Sequence, residues 1–354
     1  MTSWFSVGVV TLAAILAFWF SAQQIQSPKY KEISVSGWQT YCAFAYEHRW
    51  TTAPEGKLSV EAVGRPSADI HFAQLFQHAD ELRVWDLGNN EQFALRNGRF
   101  EAAEFAPCEP FRANGWTFSH TNGRITACRG NGCRSVSILP RTVPLMFAAK
   151  RQGVAIGTSH GDVLLFRGGK WCRMRRDGQV WSCPGRMLPI VNKPSNQFYS
   201  SISFGRTTLV GEYPTGKMYS FDGHQLRSWS TAPKEALTWS AEPQSFAFYC
   251  GELYVGYWPR GEVWRYADGS WKGPIRLFST PPEPNFPFQM QAEEAGLIGN
   301  FFGRRVPSLI PHGDSLYAVT SNKGDWSRRT PVQVDGADEY GAVWKIRRDG
   351  CFTY

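Results

Sequence analysis

The sequence predicts an all-β fold, a β-propeller of about six four-stranded blades, with five or seven as the neighbouring counts. The first observation behind this is a strand–turn–strand phrase that recurs in different words, over Val154–Phe166, Leu209–Phe221 and Leu253–Tyr266. Each copy has a short apolar strand with a Gly at its end, a turn holding a second Gly, and a second strand that ends in an aromatic. The second observation is composition. The chain has 34 Gly, 15 Trp, 24 Phe and 13 Tyr but only 19% charged residues, a balance suited to short twisted strands, tight turns and aromatic packing. The third is a repeat length of about 40–50 residues, because a single four-stranded blade cannot bury both its faces and must be stacked on others.

The elements follow in chain order. No charged side chain precedes Lys29, and Trp4 to Ala22 is almost wholly apolar, long enough to cross a bilayer at roughly 20 residues per helix. Residues 1–28 therefore read as a membrane anchor or a signal segment. The anchor is favoured because a basic leading stretch and a small-x-small cleavage site are both missing. Residues 29–354 then form one propeller domain. Lys57–Glu61 and Leu82–Asp86 read as strands B and C of a first blade split by an insertion over residues 64–79. Trp116–Ser119 and Arg124–Cys128 are strands B and C of a short second blade. A third begins at Pro144 and includes Cys172, and a fourth runs from about Ser200 to Trp229.

The fifth blade is the clearest, with strands at Ser245–Tyr249, Leu253–Gly256, Glu262–Tyr266 and Arg276–Phe278. Leu316–Val319 and Ala342–Ile346 give strands B and C of a sixth. Little chain is left for its outer strand, and Lys31–Val35 is expected to fill that place and close the ring. Closure there would hold the propeller within roughly 30 Å of the membrane, since extended chain spans at most ~3.5 Å per residue.

Leu253–Gly256, Trp264–Tyr266 and Trp271 resemble the kelch layout of an apolar strand, a variable turn and an aromatic strand followed by Trp. The chain departs from that family in lacking a Gly-Gly pair: Tyr257 follows Gly256, Glu212 follows Gly211, and Thr158 follows Gly157. The resemblance implies a propeller over residues 144–350 and, by itself, no activity.

Eight cysteines without Cys-x-x-Cys spacing read as disulfides, hence an oxidising compartment. Cys172 is expected to pair with Cys183 across a hairpin turning at Asp177-Gly178, and Cys128 with Cys133. The sequence leaves the pairing of Cys42, Cys108, Cys250 and Cys351 open. No Asn-x-Ser/Thr sequon occurs, which favours a bacterial envelope. The propeller is expected to be periplasmic or extracellular, anchored at its N-terminus, or secreted if that segment is cleaved. Net charge is +8, but no nucleic-acid-binding signature accompanies it, so its arginines read as solvated strand edges. No metal or cofactor is expected; Asp335, Asp338 and Glu339 lack the alternating-oxygen spacing of a calcium loop.

Function is expected on one face. In a four-stranded antiparallel blade, the B–C turns and the D–A links between blades emerge together. Insertions over residues 64–79, 184–199, 280–306 and 322–340 all fall on that side, where long loops build a rim. The candidate ligand-binding residues there are His160, Asp162, Glu212, Tyr213, Tyr257, Trp258, Arg260, Glu262 and Trp326. Flat aromatics beside carboxylates and arginine suit a sugar ring. The expected function is a monomeric, envelope-exposed propeller that binds a glycan or an envelope protein. The alternative is a glycoside hydrolase or lyase using two carboxylates of that face, among Asp162, Glu212, Glu262, Glu293, Glu294 and Asp325, although no catalytic motif selects the pair.

Overall fold

The computed structural model describes residues 57–68, 70, 73–106, 110–190, 196–204, 207–229, 233, 241–279, 304–321 and 339–351. These form 26 strands in six antiparallel sheets. The chain first lays down β1 (Leu58–Gly64), which belongs to the last sheet. Blade I is β2 (Ala73–His78), β3 (Glu81–Asp86), β4 (Glu91–Arg96) and β5 (Arg99–Ala103). Blade II is β6 (Phe111–Ala113), β7 (Trp116–Thr121), β8 (Arg124–Arg129) and β9 (Gly132–Ser137). Blade III is β10 (Pro144–Lys150), β11 (Gly153–Thr158), β12 (Val163–Arg167) and β13 (Lys170–Arg173).

A hairpin of β14 (Arg175–Asp177) and β15 (Val180–Ser182) comes next and joins the outer edge of blade IV. That blade is β16 (Gln197–Phe204), β17 (Thr207–Tyr213), β18 (Met218–Phe221) and β19 (Leu226–Trp229). Blade V is β20 (Glu242–Tyr249), β21 (Glu252–Trp258), β22 (Glu262–Ala267) and β23 (Ser270–Arg276). Blade VI is β24 (Arg305–His312), β25 (Ser315–Ser321) and β26 (Val343–Arg348), with β1 as its outer strand.

This arrangement corrects three expectations. Leu58–Gly64 is not strand B of the first blade but the outer strand of the last, paired from Leu58↔Arg348 to Gly64↔Val343. It occupies the place expected for Lys31–Val35, which lies outside the described residues, as does the whole 1–28 segment. Blade I consequently starts at Ala73 with Leu82–Asp86 as its strand B rather than C, so the stretch before Ala73 is a D–A link rather than an insertion between B and C. The face it emerges on is unchanged. The outer strand of blade V is Ser270–Arg276, because Trp271 pairs with Tyr266 at a ring separation of 5.2 Å. Trp171 repeats this against Phe166 at 4.7 Å, so Gly169-Lys170-Trp171 and Gly269-Ser270-Trp271 make the same contact in two blades.

The cores lie between blades. Phe118, Ile125, Ile156 and Phe166 join II to III; Met146, Phe198 and Tyr219 join III to IV; Leu209, Val255 and Trp264 join IV to V. Tyr254, Leu309 and Ile346 join V to VI, and Leu75, Val84 and Val319 join VI to I. Middle strands buried on both faces read as continuous apolar runs, as in β11. The first Gly of the repeated phrase is the contact point between blades. A Cβ at Gly256 would sit 2.7 Å from the Val306 carbonyl oxygen on the next inner strand, and Gly157 and Gly211 meet Phe198 and Pro243 in the same way. Close backbone approach, rather than turn geometry, fixes these three glycines.

Three disulfides are present among the described residues, and they fit the oxidising, extracytoplasmic compartment that the cysteine pattern predicts. Cys128–Cys133 bridges directly paired residues of β8 and β9. Cys172–Cys183 also forms, but its setting differs from the expected hairpin. Asp177 pairs with Val180, so the turn is Gly178-Gln179. Cys172 lies in β13 of blade III and Cys183 just past β15 on the sheet of blade IV, so the bond joins two blades. The third is Cys250–Cys351; Cys42 and Cys108 lie outside the described residues.

Candidate functional site

On the face carrying the B–C turns, those of blades III, IV and V each contact the chain entering the next blade. Gln197 Nε2 donates to the Ser159 carbonyl, Ala241 N donates to Pro214 O (2.8 Å), and Arg304 N to Pro259 O (2.8 Å). The inner strands carry a register shift where they meet these turns, between Phe198 and Ser200, Pro243 and Ser245, and Arg305 and Ser308. A bulge re-aims the side chain it carries. In blade IV that residue is Tyr199.

The result is a row of half-buried rings on blades IV and V that an arginine of blade VI extends. Tyr199 lies edge-on to Tyr213 with centroids 6.3 Å apart, and Tyr213 to Trp258 at 5.6 Å. The Arg305 guanidinium then sits 5.7 Å above the Trp258 ring. Tyr199 is held by donating its hydroxyl to Gln197 Oε1 at 2.6 Å. Tyr213 and Trp258 are legible in the sequence as turn aromatics. Tyr199 and Arg305 are not, because they come from inner strands and nothing local signals the bulge.

The carboxylates have a different place. Asp162 is fully buried and accepts from Arg173 Nε at 2.7 Å. Glu262, also buried, has Arg260 at 3.3 Å and Arg276 at 3.6 Å, and Trp264 Nε1 donates to it at 3.3 Å. Blades III and V thus share one device, an acid at the start of strand C clamped by an Arg at the end of strand D. Glu212 accepts from Asn196 and Thr215, with Arg176 at 3.9 Å. Tyr257 is 1% exposed inside the core between blades IV and V, where burial pushes its phenol well above the ordinary range. His160 is half-buried beside Gly161, and no described contact joins it to the aromatic row. Trp326 lies outside the described residues. Of the nine candidates, the structure brings together Tyr213 with Trp258, and Arg260 with Glu262.

Burial raises the Glu212 carboxyl above its ordinary value, against the lowering effects of the Thr215 hydrogen bond and of Arg176 and Lys217. A group whose folded value is raised holds more protons when folded, so stability falls as pH climbs from the ordinary carboxylate value through the raised one. Glu212→Gln is expected to remove that slope. Unfolding curves of the two proteins from pH 4 to 8 should diverge with rising pH in favour of the variant, and parallel curves would show the carboxylate to be unperturbed.

In the C-terminal arginine pair, Arg348 is structural rather than solvated. Arg348 and Arg265 both hold Glu252 at 2.8 Å, and Arg347 lies 3.3 Å from Asp314.

No known protein family matches the chain, and no curated protein matches it. Among solved structures it is similar to a protein described as a gluconolactonase, at 11% identity and a TM-score of 0.44 over 85% of this chain and 96% of that one. It is also similar to a luciferin-regenerating enzyme (12%, 0.41, over 84% and 98%). A third is the extracellular domain of a one-component system from B. thetaiotaomicron (9%, 0.43), where the match spans 81% of this chain but 40% of that one. The propeller architecture is read from the six sheets themselves.

Proposed function

We propose that this propeller is a non-catalytic binding module of the cell envelope that takes a glycan on its insertion-bearing face. The observation that carries this reading is the Tyr199–Tyr213–Trp258–Arg305 row. Rings left half-buried beside a guanidinium offer apolar faces to a sugar ring and a charged donor to its hydroxyls. The enzymatic reading has one supporting observation, the raised carboxyl of Glu212. A glycosidase needs a second carboxylate across the bond, at roughly 5–10 Å. Among the described candidates Asp162 and Glu262 are buried under arginines, which favours binding over hydrolysis, while Glu293, Glu294 and Asp325 lie outside the described residues.

Glycan-array binding followed by titration of the best oligosaccharide, read by tryptophan fluorescence, tests the proposal. Trp258→Ala and Tyr213→Ala are each expected to weaken binding about tenfold or more, as anchors of a small interface do. Unchanged affinity in Trp258→Ala would remove the site assignment. Release of reducing sugar that vanishes in Glu212→Gln would replace it with the enzymatic reading.

A further inference from the structure

Two cavities open on the opposite face, among the A–B and C–D turns. The larger, about 640 Å³, lies between blades III and IV and is lined by Arg167, Lys170, Trp171 and the Cys172–Cys183 bond, with Asp222 and His224 opposite. The smaller, about 330 Å³, lies between blades II and III under Trp116, Arg129, Arg151 and Arg167. They meet at Arg167.

The lining is strongly one-signed. Among the described residues, none of Arg129, Arg151, Arg167 and Lys170 belongs to an ion pair. The only acid in either lining, Asp222, caps its own turn by accepting from the backbone N–H of His224 (2.8 Å) and Gln225 (2.9 Å). Arg167 and Lys170 stand directly opposite each other across β12 and β13, and like charges in that position oppose pairing. Folding alone gives no reason for this arrangement, whereas an anionic ligand would supply the missing counter-charge.

The walls are rigid. Asn114 Nδ2 donates to Lys150 O at 2.7 Å, tying blade II to blade III, and Trp171 Nε1 donates to Arg134 O at 3.0 Å. His224 Nε2 meets Gln152 Oε1, and Gly153 lies so close to the Gly223 carbonyl that no Cβ would fit, which ties III to IV. Trp116 and Trp171 line the two hollows on either side of Phe166, at 4.8 and 4.7 Å from its ring.

We propose that the two hollows meeting at Arg167 form a second binding groove, for an acidic saccharide bearing carboxylate or sulfate groups. The cavities are large enough for sugar units, the indoles offer them apolar walls, and the cations pair with their acid groups. A flat lipid surface or a nucleic-acid backbone would not need recessed hollows. This groove is independent of the aromatic row on the other face.

Calorimetric titration of the full chain with an oligogalacturonate, a heparin hexasaccharide and a neutral dextran oligosaccharide of equal length tests the inference. At least one acidic probe should bind while dextran does not, and the two acidic probes separate carboxylate from sulfate. Arg167→Glu/Lys170→Glu should weaken that binding about tenfold or more, since it removes two charge-assisted hydrogen bonds and puts like charge against the ligand. Arg99→Glu/Arg124→Glu removes the same net charge from exposed sites outside the hollows and should leave affinity within about twofold. Equal loss in both variants would reduce the effect to net charge and overturn the proposal. So would failure of both acidic probes, or charge-dependent binding found only with phosphatidylglycerol vesicles or single-stranded DNA. Trp258→Ala should not alter this titration, so the two sites stand or fall separately.

Discussion

Replacing Cys250 and Cys351 together by serine is expected to lower unfolding free energy by about 5 kcal/mol, the loop-closure value for a cross-link spanning roughly 100 residues. The bond spans 101 positions and joins the A–B turn of blade V to the chain just after β26. Its position matters as much as its length. The ring is closed by β1, an outer strand whose residues from Ser59 to Ala62 are all exposed. Apart from backbone pairing, it is held by Leu58 packing on the core between blades V and VI, Val63 on the core between VI and I, the Ser59 hydroxyl 3.5 Å from the Arg347 carbonyl, and Glu61 3.6 Å from Lys345. Such an edge opens first. The disulfide fixes β26, the strand on which β1 pairs, so reduction should free the closure as well as lengthen the unfolded chain. Cys128→Ser/Cys133→Ser, whose bond spans 5 positions, should lose about 2 kcal/mol by the same reasoning. Urea unfolding of the two double variants measures both. Equal losses would show that loop length and ring closure do not govern stability here.

The closure also shows where the sequence stops being legible. Blades III to V are readable because three physical demands coincide in one phrase. A Gly is needed where strand B meets the next inner strand, a second in the turn, and an aromatic at the end of strand C, which in blades III and V faces Trp. Blade I meets only the second, with Gly88 in its turn. Its B–C turn is organised instead by Asp86, whose carboxylate accepts from Gly88 N (2.8 Å) and Asn89 N (3.3 Å). Without the phrase, one strand of register is lost, and Leu58–Gly64 is taken into the wrong blade. The candidate site divides in the same way. Turn aromatics announce themselves, but the depth of a carboxylate depends on a partner in strand D that no local pattern identifies. Arg173 lies 11 positions from Asp162 and Arg276 lies 14 from Glu262. The cationic groove is harder still, because its four charges come from turns of two adjacent blades and no run of basic residues marks them.

The second large effect lies at Asp162. Both members of the Asp162–Arg173 pair are buried, at 0% and 4% side-chain exposure. Arg173 does more than neutralise the acid. Its Nη1 donates to Leu188 O (2.9 Å) and its Nη2 to Ser137 O (2.8 Å), so one guanidinium joins the links on either side of blade III. Removing one partner of a buried pair leaves an uncompensated charge, which costs about 3–5 kcal/mol. Arg173→Met is expected to fall in that range, because it orphans the Asp162 carboxylate and two carbonyls together. Asp162→Leu should be comparable, since the guanidinium then stays buried without its counter-ion. The double variant Asp162→Leu/Arg173→Met should be less damaging than the sum of the two, because neither charge remains. A double-mutant cycle by urea unfolding reads the coupling directly. Additive losses would mean that the pair contributes nothing as a pair. Asp162→Asn then separates structure from function at this residue. A destabilised variant that still binds its glycan keeps Asp162 as a clamp, whereas one of wild-type stability that loses binding would return it to the ligand site.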